Sequence, residues 1–196
     1  MQRVQANPGH SQWFIDRFRA MAERGEDLAG EARTIDAMLP RSARVLDAGC
    51  GSGRVATELT RRGHTVVGVD VDPALIDAAR TDYPDGTWLV GDLAELDLPS
   101  AGIAEPFDAV ICVGNVVPFL APSTRADVLT RLRAHARPAA RAAFGFGAGR
   151  GYDFDEFLGD ATAAGWRPEL LLSTWDLQPF EPGSDFLVAL LRNSGG

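Results

Sequence analysis

The stretch "VLDAGCGSGRV" (45–55) decides how the rest of the chain is read. An apolar run rises to Asp47 and then breaks into Gly49, Gly51 and Gly53, spaced two apart. Two readings stand at this point. A tight turn needs small residues, and a ligand lying against the backbone leaves no room for side chains. "ARVLDAG" (43–49) reads as a short buried strand, and "RVATELTRRG" (54–63) as a helix closed by Gly63. The glycines therefore sit at a strand-to-helix junction, where a helix N-terminus offers free N–H groups.

Working outward, strands and helices alternate. Strands are expected at 64–70, 87–92, 107–114 and 141–147, and helices at 72–82, 122–137 and 153–165. The helix at 72–82 opens with Asp72 as N-cap and Pro73 at its first position. Alternation of this length implies a parallel sheet covered on both faces. Two apolar-striped helices, 10–24 and 26–39, precede it. The end of the chain differs: strand-like segments at 169–177 and 185–192 are separated by only seven residues, "QPFEPGS". That is too short for a parallel crossover, so the last strand is expected to run antiparallel. The expectation is a single α/β domain over 1–196, with an N-terminal helical cap (1–40) and a core at 43–192 holding a seven-stranded, mostly parallel sheet.

Composition limits the function classes. The chain has 196 residues, 45% of them hydrophobic and 23% charged, which suits a globular domain. Its net charge of −8 argues against nucleic acid as the main partner. All 19 basic residues are Arg, so lysine Schiff-base chemistry and a P-loop lysine are excluded. Cys50 and Cys112 read as small buried thiols. With His10, His64 and His135 they form no metal-ligand spacing, so no metal is expected. No apolar run reaches the length of a membrane span, and "MQRVQANPGHSQWF" (1–14) lacks the apolar core of a signal peptide. A cytoplasmic location follows as the expectation, and the oligomeric state is left open.

Two further acids sharpen the opening question. Asp70 ends the second strand, 21 residues after Gly49, where an acid accepts hydrogen bonds from ribose hydroxyls. Asp92 follows the third strand, where a carboxylate accepts from an exocyclic amine. A dinucleotide fingerprint is also met by Gly51, Gly53 and Ala56, which keeps an NAD(P)-dependent oxidoreductase as an alternative. Asp47 opposes it, because an acid in that loop repels a pyrophosphate and attracts a cation.

Taken in order, "VLDAGCGSGRVATEL" (45–59), "VVGVDVDPALIDAAR" (66–80), "WLVGDLAEL" (88–96) and "FDAVICVGNVVPFL" (107–120) resemble the successive motifs of class I S-adenosylmethionine-dependent methyltransferases. The resemblance implies a Rossmann-like three-layer sandwich, S-adenosyl-L-methionine as cofactor and methyl transfer as activity. By it, Asp47, Gly49, Cys50, Gly51, Gly53 and Arg54 form the loop around the methionine part, and Asp70 with Val71 holds the ribose. Asp92 and the Leu93 amide address adenine, and Val113, Gly114 and Asn115 offer the amino-acid end its contacts. A catalytically silent cofactor-binding protein remains a second alternative.

The acceptor is harder to read. Asn115 is followed by Val116 and Val117 rather than a Pro-Pro-aromatic run, which speaks against amino methylation of nucleic-acid bases and leaves a small molecule as the expected acceptor. Val117 and Phe119 are candidates for an apolar wall. Arg150 and Tyr152 are candidates to face an anionic or aromatic acceptor, and Trp13, Phe14 and Arg17 to close over it. His10, Asn115 and Tyr152 are the candidates for a catalytic group. His64 and His135 are expected to face away from the site.

Overall fold

A computed structural model describes residues 8–195, so the opening seven residues, including half of the stretch read against a signal peptide, lie outside the described residues. Two helices, α1 (Pro8–Glu23) and α2 (Gly30–Ala37), come first. The core follows as β1 (Arg44–Ala48), α3 (Arg54–Arg61), β2 (Thr65–Asp70), α4 (Pro73–Asp82), β3 (Thr87–Val90) and β4 (Phe107–Cys112). It is completed by α5 (Arg125–Ala134), β5 (Ala136–Gly147), α6 (Phe154–Ala163), β6 (Trp166–Leu172) and β7 (Phe186–Asn193). The strands form one sheet in the order β3-β2-β1-β4-β5-β7-β6. β7 pairs antiparallel with both β5 and β6, and the other pairings are parallel. No helix among the described residues is long and apolar enough to cross a membrane.

The pleat divides the core by residue parity. Leu46, Val110, Phe144 and Phe146 point to one face and pack with Leu129, Phe157 and Trp166. Val45, Ile111 and Ala143 point to the other and pack with Ile35, Leu59 and Ile76. Each buried Val, Leu, Ile or Phe among these contributes about 1.5–3 kcal/mol by leaving water. Near-continuous apolar runs in β1 and β4 are what burial on both faces requires.

Several element boundaries differ from expectation. α2 begins at Gly30 rather than at 26, because Asp27 accepts from the Ala29 N–H and pairs with Arg33, forming a turn ahead of the helix. The helix expected to run to residue 137 stops at Ala134, and β5 starts at Ala136, five residues earlier than expected. His135 makes that change of direction: its Nδ1–H donates to the Arg131 carbonyl and its Nε2 accepts from Leu98 N–H. β6 lies at Trp166–Leu172 rather than 169–177, and the chain then folds back so that Leu172 bridges Pro179.

α1 packs beside α4, with Phe14 reaching the loop after β1. Ser11 donates to Asp72, Arg19 pairs bidentately with Asp82 at 2.8 and 3.0 Å, and Ile15 is buried.

Candidate active site

The C-terminal edge of the parallel strands gathers Asp47, the glycine loop, Asp70, Asp92 and the 113–115 segment, because each follows or ends a strand of the same direction. The loop is fixed by backbone bonds: Gly49 and Cys50 donate to the Val69 carbonyl at 2.8 and 3.0 Å. Gly49 and Gly53 stand at φ +83 and +84, a conformation that side chains resist. Space is also closed to them. A Cβ on Gly49 would lie 2.5 Å from Val116, and one on Gly53 2.6 Å from the Trp88 ring. So the steric reading of the glycines is correct for two of them, and it coexists with the ligand reading.

Asp47 carries the ligand reading. It shares a face with Val45, is 1% exposed, and neither carboxylate oxygen has a hydrogen-bond partner among the described residues. The Ala56 amide lies near it without hydrogen-bond geometry. Burial pushes its pKa up to about 7; the Arg54 guanidinium opposes this and the Asp70 and Glu31 carboxylates add to it. A buried carboxylate with nothing to accept from is costly, and the group that relieves it is a cation with N–H donors. The ammonium of a sulfonium amino acid is such a group.

Asp70 behaves differently. Its Oδ2 accepts from Gly51 N–H at 2.8 Å and its Oδ1 from Asp72 N–H at 2.9 Å. One carboxylate thus ties the glycine loop to the start of α4, while Asp72 caps that helix through Ala74 N–H. Burial raises the Asp70 pKa against those two amides. Asp92, half-buried, accepts from Ala94 N–H at 2.9 Å and opens a 3-10 turn over Leu93–Glu95. Beside these acids the edge exposes an apolar ledge: Val71 is 63% and Val90 49% exposed. Val90 was not anticipated; its register opposite Asp70 places it there.

Arg54 is engaged on the N-terminal helices. It forms a bidentate pair with Glu31 at 2.6 and 2.9 Å, donates to the Leu28 carbonyl at 2.6 Å and lies 5.0 Å from the Phe18 ring. Its link to the loop is through its charge on Asp47. Phe14 covers the loop mouth, 3.3 Å from where a Cβ on Gly51 would sit. Trp13 is exposed, with the His10 ring stacked 5.9 Å away and the Arg17 guanidinium at 5.3 Å.

After β4, Gly114 is exposed and open at its Cβ position, while Val113 is buried. Asn115, at φ +66, accepts from Gly147 N–H at 2.8 Å and donates its own N–H to Gly145. It pins the loop to β5, so its side-chain carbonyl is committed to structure. Phe119 is 62% exposed, but Val117 is fully buried in the core and cannot form a wall of the mouth. Arg150 is exposed, next to Gly147.

Tyr152 lies in the core rather than at the mouth. It is 1% exposed, its hydroxyl donates to Asp160 at 2.8 Å, and the Arg125 guanidinium lies 3.8 Å from its ring. Burial and the Asp160 bond push its pKa up. It is a core residue between Phe146 and Phe157, and neither a catalytic group nor an acceptor contact. Cys50 and Cys112 are buried and burial raises both thiol pKa values, so they stay neutral. Among the described residues no group of three His, Cys, Asp or Glu could hold a metal ion. Trp175 was also missed: its ring packs where a Cβ on Gly145 would stand. A glycine inside a strand was the available signal.

Known proteins bear directly on this arrangement. The sequence family described as a methyltransferase domain matches residues 45–139. A crystal structure of a TehB-like SAM-dependent methyltransferase from Corynebacterium glutamicum is 45% identical, covering 95% of this chain and 100% of that one, with a TM-score of 0.88. The chain is a member of the class I S-adenosylmethionine-dependent methyltransferase family. The magnesium-protoporphyrin O-methyltransferase of Rhodobacter capsulatus is 40% identical over 94 residues, which cover 45% of this chain and 39% of that enzyme. This methyltransferase chain thus spans about two-fifths of that curated relative's length. CalS10, an amino pentose methyltransferase from Micromonospora echinaspora, shares the fold at 20% identity, with a TM-score of 0.70 over 89% of this chain and 95% of that one. The family's cofactor is S-adenosylmethionine. The NAD(P) alternative finds no support in these relationships, in keeping with the acid at Asp47.

Proposed function

We propose that this protein transfers the methyl group of S-adenosylmethionine to a small-molecule acceptor in the cytoplasm. The observation that carries the cofactor assignment is Asp47, a buried carboxylate near the end of β1 whose two oxygens lack partners among the described residues. In this reading Asp47 holds the cofactor's ammonium, Asp70 accepts from its ribose hydroxyls, and Asp92 with the Leu93 amide binds the adenine edge. Val71 and Val90 supply the apolar ledge beneath that base. Val113 and Gly114 present backbone to the amino-acid end.

The cofactor supplies a sulfonium methyl, displaced in line with a neutral thioether as leaving group. The protein's tasks are alignment and exclusion of water. In this reading Phe14 over the loop and the exposed Phe119 after β4 serve that exclusion. Trp13, Arg17 and Arg150 contact the acceptor at the rim. His10 is the remaining candidate base, since Tyr152 is buried and Asn115 is tied to Gly147. It acts only if the acceptor must lose a proton.

Calorimetry with S-adenosylhomocysteine and with NAD tests the assignment. Tight binding of the former and none of the latter is expected, and the reverse pattern would sink it. A screen of small acceptors then reads methyl transfer directly; tight cofactor binding with no product on any acceptor would instead support a silent binding protein.

A further inference from the structure

The opposite edge of the sheet carries a second concave feature, remote from Asp47. Two irregularities build it. The pairing of β5 with β4 shifts register between Phe107 and Ala109, and Ala139 stands at φ +60. A shift of this kind bends a strand, and a non-glycine residue in the left-handed region persists only where its surroundings hold it. Pro138 and Ala139 form one wall of a cleft of about 340 Å3, and Met38, Leu39 and Pro40 form another.

Arg137 and Arg141 from β5 and Arg192 from β7 line this cleft, and Asp108 is the one carboxylate among its lining residues. Each guanidinium is anchored on one side. Arg137 donates through Nη1 to Asp108, Arg141 through Nη1 to the Met38 carbonyl at 2.7 Å, and Arg192 through Nη1 to the Ala139 carbonyl at 2.9 Å. The Nη2 group of each makes no hydrogen bond to the described residues. Glu169 sits 2.6 Å from Arg192, 3.2 Å from Arg167 and 3.4 Å from Arg141, so a single carboxylate is shared by three cations. With Arg137 on Asp108, four guanidiniums answer to two carboxylates, in a chain whose net charge is −8. Pre-oriented N–H donors with excess positive charge around a concavity suit a multiply charged oxyanion.

We propose that this cleft binds a phosphoryl group, carried by free phosphate or by a small phosphate monoester, at a site separate from the methyl-transfer edge. The three open Nη2 groups donate to its oxygens, and Asp108 both orients Arg137 and competes with the ligand for it.

The test is calorimetric titration of inorganic phosphate, and separately of ribose 5-phosphate, into the full chain saturated with S-adenosylhomocysteine, with ionic strength held constant by chloride. One saturable site is expected. Arg137→Gln and Arg192→Gln should each weaken it at least about fivefold while leaving S-adenosylhomocysteine affinity unchanged. The Arg137 side chain is 45% exposed, so its replacement leaves the fold intact. Asp108→Asn should tighten binding about threefold by removing the competing charge. Stronger binding of ribose 5-phosphate assigns the site to a monoester, and equal binding assigns it to the free ion. The proposal is overturned by heat that does not saturate beyond the chloride control, by binding that survives the Arg137→Gln/Arg192→Gln double variant, or by binding that S-adenosylhomocysteine abolishes.

Discussion

Two buried polar groups, at opposite ends of the sheet, are treated in opposite ways. At the N-terminal edge, His64 is almost wholly buried and both ring nitrogens are used: Nδ1 accepts from Ala43 N–H at 3.2 Å, and Nε2–H donates to Asp36 at 3.0 Å. That bonding ties α2 to the residue ahead of β1. At the C-terminal edge, Asp47 is buried just as deeply with no partner. A satisfied buried group stabilises the fold, whereas an unsatisfied one costs stability until a ligand supplies what is missing. The difference marks one edge as architecture and the other as a binding site.

The sharpest way to break this contrast is Asp47→Asn. It should lower S-adenosylhomocysteine affinity about 100-fold in calorimetry, the worth of a charge-assisted bond. The apo protein should become more stable, because the cost of a buried charge is removed. Unchanged affinity would end the ammonium role. The reciprocal change, His64→Ala, should destabilise the chain by about 2–3 kcal/mol in urea unfolding, since the buried Ala43 N–H loses its acceptor. Its cofactor affinity should stay within about twofold of the parent, at a distance where effects are independent.

Acidity sharpens the comparison further. The folded-state pKa of Asp47 is raised to about 7 by burial, so below that value the carboxyl is neutral and cannot hold an ammonium. Cofactor affinity should therefore fall about tenfold from pH 8 to pH 6, and Asp47→Asn should flatten that profile. Stability runs the other way. A raised folded-state pKa contributes stability that is present below the unfolded value near 4 and is lost as pH rises through about 7. The apo protein should accordingly lose stability across that window, with Asp70, also raised by burial, adding to the trend. The smallest effect belongs to Tyr152→Phe, which should cost about 1 kcal/mol through the lost Asp160 bond and leave methyl transfer on any accepted substrate unchanged.

Much of the architecture is legible in residue order. Short apolar runs located the strands and Asp72-Pro73 marked the start of α4. The antiparallel return of the last strand also holds, although the seven-residue gap it was read from does not: β6 ends at Leu172 and β7 begins at Phe186. The boundaries that moved did so through contacts invisible to local pattern. His135 turns the chain from α5 into β5 by bonding Leu98, 37 residues away. Trp175 makes Gly145 compatible with a strand by filling the space above it.

The gathering of Asp47, Asp70 and Asp92 was readable because parallel strands end on the same edge; acids at three such ends must then converge whatever packs around them. The surroundings of the expected acceptor contacts were not. Tyr152 lies in a glycine-rich segment that reads as an open loop, yet Arg125, Phe146 and Asp160 draw its ring into the core. Val117 is likewise taken inward. The sequence by itself determined the fold class and the acid at the loop, since both follow from spacing along the chain. Only the tertiary structure decided that Asp47 is left without a partner, that Arg54 is taken by Glu31 and Leu28, and that three arginines open onto the far edge, because each depends on which distant groups arrive to satisfy a polar atom and which do not.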